Sequence, residues 1–156
     1  MTRKVRLHVN GQEQQVDVDP RTPLIYVLRN DLALNSPKYG CGQRQCGSCM
    51  VLMDGVAEYT CTMPVAQAEG RKIVTLEGLV RDGRLHPVQQ AFIDEQAAQC
   101  GYCTSGMIIT AVALLDKHPH ATEAQVREAM SKVLCRCGTY SRVARAISRV
   151  ARREQP

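Results

Sequence analysis

The chain has 156 residues, a formal net charge of +5, one Phe, five Tyr and no Trp. So thin an aromatic content suits two small cores better than one large one, and domains of about 50 to 100 residues fold alone. No run of about 20 apolar residues is present, which excludes a membrane-spanning helix, and Met1-Thr2-Arg3-Lys4-Val5-Arg6 shows no signal-peptide stretch, so the cytoplasm is the expected compartment.

Val5, Leu7 and Val9 alternate with polar residues, Asn10-Gly11 turns the chain, and Val16 and Val18 resume the alternation, which predicts a β-hairpin. Thr22-Pro23 opens a predicted short amphipathic helix, Thr22 as N-cap and Pro23 in the first turn, with Leu24, Val27, Leu28 and Leu32 on one side. After a turn at Pro37 comes a loop carrying Cys41, Cys46 and Cys49 among glycines at 40, 42 and 47. Cys49 to Met53, an Asp54-Gly55 turn and Val56 to Cys61 predict a second hairpin, and Lys72 to Leu76 a further strand. Together these elements make a β-grasp arrangement over residues 1–77.

A polar connection over 78–84 follows, and beyond it the apolar period changes from two to about 3.6. Helices are predicted over 87–96, 105–116, 123–133 and 141–153, with Thr122 and Gln125 forming a capping box before the third. Antiparallel packing of four such helices makes a bundle over 85–156. The fold class is therefore α+β, a β-grasp domain followed by a four-helix bundle domain. Residues 1–77 carry nine Lys/Arg against eight Asp/Glu and residues 78–156 eleven against seven. Arg142, Arg145, Arg149 and Arg152 line one helix face, which reads as a solvated face or one meeting an acidic partner; without interleaved aromatics beyond Tyr140 it does not argue for nucleic acid.

The eight cysteines form two sets of four. Cys41-x4-Cys46-x2-Cys49 followed by Cys61 is the spacing with which plant-type ferredoxins hold a [2Fe–2S] cluster. The second set is Cys100-x2-Cys103 and Cys135-x-Cys137, whose first pair taken alone fits zinc as well as iron. The one-residue spacing of Cys135 and Cys137 is tighter than the two to four residues usual in structural zinc arms. A disulfide framework conflicts with the expected reducing compartment. Two four-thiolate sites predict two metal centres and, as iron–sulfur clusters, a path for electrons. The glycines of the first loop let backbone N–H groups approach the sulfurs, and the second set precedes predicted helix N-termini, where negative charge is favoured.

Gly40-Cys41-Gly42-x-x-x-Cys46-Gly47-Ser48-Cys49, then Gln99-Cys100-Gly101-Tyr102-Cys103-Thr104-Ser105-Gly106-Met107, then Leu134-Cys135-Arg136-Cys137-Gly138-Thr139-Tyr140 resemble the iron–sulfur subunit of the xanthine oxidase family of molybdenum hydroxylases. The resemblance covers nearly the whole chain. It implies two [2Fe–2S] clusters and a large subunit that holds a molybdenum–pterin dinucleotide and hydroxylates an aldehyde or N-heterocycle. It also implies that the cluster on Cys100, Cys103, Cys135 and Cys137 lies nearer the molybdenum, that the cluster on Cys41, Cys46, Cys49 and Cys61 passes electrons onward, and that Gln99 and Cys137 touch the pterin. Arg44 departs from the pattern, since many members carry a further glycine there; an arginine would screen the cluster and raise its potential from the roughly −400 mV of plant-type ferredoxins. Gly138-Thr139 is similar to the isoquinoline oxidoreductase and bacterial aldehyde dehydrogenase branch, some of whose members have no flavin subunit and discharge to a cytochrome-type acceptor; the expected acceptor is a flavin subunit or such a cytochrome-type protein.

The chain shows no dinucleotide fingerprint, P-loop or HExxH motif, and no catalytic residue of its own is expected. His118-Pro119-His120 reads as an interhelix loop before it reads as a metal arm. The leading expectation is an electron-transfer subunit of a molybdenum-dependent oxidoreductase; the alternatives are a free-standing ferredoxin-like carrier or redox sensor, and a zinc-bound nucleic-acid module. Export to the periplasm on a partner's signal is the alternative to the cytoplasm.

Overall fold

The structure is a computed structural model that describes residues 1–153; the last three residues of the expected helical domain lie outside the described residues. Strands β1 (Arg3–Val9) and β2 (Gln12–Val18) form the first hairpin, with Asn10 and Gly11 in the left-handed turn conformation. Strands β3 (Met50–Met53) and β4 (Val56–Tyr59) form the second, and β5 (Lys72–Val74) completes a five-stranded sheet of order β2-β1-β5-β3-β4. β5 runs parallel to β1 and antiparallel to β3, so the sheet is mixed.

Alternation assigns the two faces of this sheet. Val5, Leu7, Val9, Val51, Met53 and Ile73 turn to one side and pack on Leu24, Val27 and Leu28. These come from a helix of two parts, a short α1 (Leu24–Tyr26) running directly into a π-helical turn over Val27–Asp31. Met50 and Leu52 turn to the other side and join the core of the helical half. β3 is therefore buried on both faces, which is why Met50-Val51-Leu52-Met53 is apolar without a break.

The expected cap on α1 is not formed. Pro23 occupies the cap position with no side-chain hydrogen bond, and Thr22 instead donates its N–H to the Asp19 carbonyl. The leading N–H groups of α1 are taken by backbone: Leu24 donates to the Met63 carbonyl at 2.8 Å and Ile25 to the Thr60 carbonyl at 3.2 Å. Tertiary pairing has replaced the local cap, and it draws the segment around Cys61 against the helix.

The second half consists of α2 (Pro87–Asp94), α3 (Thr104–Lys117), α4 (Glu123–Met130) and α5 (Tyr140–Arg153). Thr122 and Gln125 make the expected capping box, and His86 with Gln89 makes a second one before α2. Val88, Phe92, Met107, Val126, Met130 and Ile147 share one core with Met50 and Leu52, with α3 lying against β3 and β4 and the other three helices packed around it. α2 and α4 end earlier than predicted, at Asp94 and Met130. No helix among the described residues is long and apolar enough to cross a membrane.

Candidate iron–sulfur centres

The first cysteine loop wraps around its own sulfurs. Gln43, Gln45 and Cys46 direct backbone N–H groups at Cys41 Sγ, at 3.4, 3.3 and 3.3 Å, and Cys41 N–H points at Cys46 Sγ at 3.3 Å. That curvature needs left-handed residues at Gly42, Arg44 and Gly47. A Cβ on Gly40 would stand 2.6 Å from Cys46 Sγ, so glycine is what lets the backbone close on the sulfur. Cys49 and Cys61 lie deeper, buried with Ile25, and Tyr59 packs against them. Thr60 fixes the hairpin that presents them by donating its hydroxyl to the Cys49 carbonyl at 2.7 Å.

The thiols of this loop titrate in opposite directions. Burial pushes Cys41 up, but the three backbone N–H groups outweigh it and hold the thiol down at about 7, which favours the thiolate form that binds metal. Burial pushes Cys49 up to about 11, where the neighbouring Cys61 thiol adds to the effect. A cationic metal centre would reverse such a rise, because a ligated thiol is deprotonated outright.

The second set is built at helix ends. Cys103 is the cap position of α3, and Gly101 before it is left-handed at φ 83°. Cys135 and Cys137 lie on the tight segment before α5, closed by Tyr140, whose hydroxyl accepts the Cys135 N–H at 2.8 Å and donates to the Val133 carbonyl at 3.0 Å. Cys103 is raised to about 12 by burial and by contact with the Cys135 thiol. Cys135 is pushed up by burial, yet Thr139 and its other neighbours bring it down to about 7. Cys100 and Cys137 touch one another and are both exposed.

Among the described residues no three His, Cys, Asp or Glu side chains converge as one ion would need. The cysteines instead associate two and two, Cys41 with Cys46, Cys49 with Cys61, Cys103 with Cys135 and Cys100 with Cys137. A binuclear cluster in which each iron takes two thiolates needs that pairing, so the donor sets fit [2Fe–2S]. Gln99 makes no hydrogen bond to a described residue and lies with Cys137, Gly138, Thr139, Ser141 and Arg142 around a cleft of about 360 Å³.

The two centres interlock. Leu134 N–H, next to Cys135, donates to the Cys46 carbonyl at 2.9 Å. The Tyr102 hydroxyl donates to the Tyr39 carbonyl, and Ser105 Oγ donates to the Ser36 carbonyl at 2.6 Å. Sequence reasoning missed the roles of Tyr102, Tyr140 and Leu134, since a single tyrosine or leucine carries no spacing signal. The arginine stripe is spent inside the chain: Arg145 pairs with Glu95 at 3.3 Å, Arg149 with Asp94 and Glu95 at 3.4 Å, and Arg142 donates to the Gln96 carbonyl. His120 Nδ1 stands 3.4 Å from the Ala151 carbonyl on α5, whereas His118 lines a groove beside β4.

Comparison with known proteins agrees with both centres. Residues 7–72 match the 2Fe-2S iron-sulfur cluster binding domain family and residues 75–148 the [2Fe-2S] binding domain family. The chain is 56% identical over 151 residues to a nicotinate dehydrogenase subunit of Pseudomonas putida, covering 97% of this chain and 96% of that one. It is 45% identical over 145 residues to the alpha subunit of isoquinoline 1-oxidoreductase from Brevundimonas diminuta, covering 92% and 95%. The crystal structure of quinoline 2-oxidoreductase from Pseudomonas putida 86 contains a chain that superposes with a TM-score of 0.88 at 37% identity, over 99% of both chains. Two cluster domains in this order, with relatives that are subunits of oxidoreductases, make this an electron-transfer subunit whose partner is a molybdopterin-binding subunit. The chain belongs to the two-cluster [2Fe–2S] small subunits of the xanthine oxidase family of molybdenum hydroxylases.

Proposed function

We propose that electrons enter this chain beside Cys137 and leave it beside Cys41, during hydroxylation of a nitrogen-containing aromatic ring by the partner subunit. Cys100, Cys103, Cys135 and Cys137 hold the inner [2Fe–2S] cluster, and Cys41, Cys46, Cys49 and Cys61 the outer one. Each cluster, when bound, takes up one electron and releases it. Gln99 offers an amide that both donates and accepts, and with Cys137 it faces the pterin across the cleft they line. Residues 1–77 and 85–156 divide the work into an exit and an entry domain joined by 78–84. A flavin subunit or a cytochrome-type protein takes the electrons at the exit, in the cytoplasm. Relatives whose names specify nicotinate, isoquinoline and quinoline support the N-heterocycle, and the first of these, at 56% identity, stands above the aldehyde oxidoreductase subunit of Escherichia coli at 40%.

The observation that carries the proposal is the hydrogen bond from Leu134 N–H to the Cys46 carbonyl. It links a ligand of the outer centre to the residue before a ligand of the inner one through covalent bonds and one 2.9 Å hydrogen bond, with no gap across space. A chain serving as a free carrier has no need of such a bridge. The order is tested in the assembled complex with nicotinate as the substrate, reading the two cluster signals by electron paramagnetic resonance. With Cys46→Ala, nicotinate is expected still to reduce the inner cluster while turnover with the acceptor is lost. With Cys135→Ala, the outer cluster is expected to remain reducible by dithionite but no longer by nicotinate. Substrate reduction of the outer cluster in the Cys135→Ala complex would reverse the order.

A further inference from the structure

Arg44 sits between Cys41 and Cys46 at φ 58°, a left-handed conformation that L residues adopt at a cost and glycine adopts freely. Its side chain does not run off into solvent. The guanidinium carbon lies 5.5 Å from the centroid of the Tyr59 ring, and Nη2 stands 3.8 Å from Glu58 Oε2. Tyr59 also packs on the buried group formed by Ile25, Cys49 and Cys61. Tyr59 therefore touches both a full positive charge and the group that holds two thiols of the outer centre, and the loop carrying that charge supplies the other two. A carboxylate, Glu58, stands beside the same guanidinium.

We propose that Arg44 and Glu58 are an opposed pair of positioning residues that set the outer cluster's reduction potential, Arg44 raising it and Glu58 holding it back. The proposal rests on the cysteine assignments above. Reduction adds one negative charge to a centre already bearing four thiolates. A cation at short range stabilises the reduced form more than the oxidised one, and an anion does the opposite. Raising the outer potential relative to the inner one makes outward transfer downhill, so the pair gives the electron path its direction. Tyr59 holds the guanidinium beside the loop that carries Cys41 and Cys46. Both charged side chains remain partly exposed, 54% for Arg44 and 29% for Glu58, so added salt weakens the effect.

The test is a redox titration of the purified complex, following both cluster signals by electron paramagnetic resonance in the wild type and in Arg44→Gly, Arg44→Lys and Glu58→Gln. The inner cluster is the internal control. Arg44→Gly is expected to lower the outer midpoint, Glu58→Gln to raise it, and Arg44→Lys to stay nearer the wild type than Arg44→Gly, with the inner midpoint unmoved in all three. If Arg44→Gly does not assemble, the rise in Glu58→Gln alone decides. Two resolved signals with an unmoved outer midpoint, or equal shifts in both clusters, would overturn the proposal while leaving the cysteine assignments standing. Absence of two [2Fe–2S] signals in the wild type would overturn those assignments and this proposal with them.

Discussion

A methyl group on Gly106 would run into the carbonyl oxygen of Gly47, one turn of α3 beyond Cys103 and next to Cys46. A Cβ on Gly47 would in turn stand 2.6 Å from the Lys132 carbonyl oxygen, and Gly47 is left-handed at φ 72°. These two positions let the cysteine loops approach backbone to backbone. Overpacking a filled interior costs about 1–3 kcal/mol, and here the obstacle is main chain that cannot rotate away. Gly106→Ala is therefore expected to lower stability by about 3 kcal/mol, the upper end of that range. Thermal unfolding of the complex checks it, and a melting temperature equal to the wild type would show that the loops are not in contact. At this scale the two sets of four cysteines were the most legible feature, because their spacing is written in the chain. Gly40 and Gly42 could be read beside them. The clasp of Tyr140 on residues 133–135 could not, since it depends on a fold back that spacing does not encode.

Glu77 ties three elements together. Its carboxylate accepts the Ser36 N–H at 2.9 Å, the Ser36 hydroxyl, and the Thr75 hydroxyl at 2.6 Å, while Asn10 binds Thr75 from the turn between β1 and β2. Burial pushes the Glu77 carboxyl up, but the hydrogen bonds from Ser36 and Thr75 outweigh it and hold it below its ordinary 4.5. A carboxyl lowered by folding stabilises the fold fully above its unfolded value and loses that contribution as pH falls through the folded value. Glu77→Gln is thus expected to be less stable than the wild type at pH 7, with the difference shrinking below pH 4.5. Unfolding curves of both proteins across pH decide it, and a constant difference at all pH values would show that ionisation plays no part. The strands and helices themselves were legible from periodicity, down to the capping box at Thr122 and Gln125. The start of α1 was not, because Met63 and Thr60 supply from another part of the chain the acceptors that Thr22 was expected to provide. The arginine face of α5 was read correctly as a stripe, but its partners, Asp94 and Glu95, lie on α2 of the same chain and at its end.

Across the whole molecule, two domains that periodicity separates are joined by a shared wall and a shared path. β3 contributes Val51 and Met53 to one core and Met50 and Leu52 to the other. The loops that carry the cysteines meet through Leu134 and Cys46, Tyr102 and Tyr39, and Ser105 and Ser36. Loss of either centre is therefore expected to loosen contacts made by the other, since metal binding contributes folding free energy. The measurement that tests this view most directly is the molybdenum, iron and zinc content of the complex purified anaerobically from its native host. Two [2Fe–2S] clusters beside one pterin site require about four irons and one molybdenum per copy of this chain. Iron without molybdenum would contradict the place of this chain in a hydroxylase, and zinc in place of iron would contradict the electron path itself.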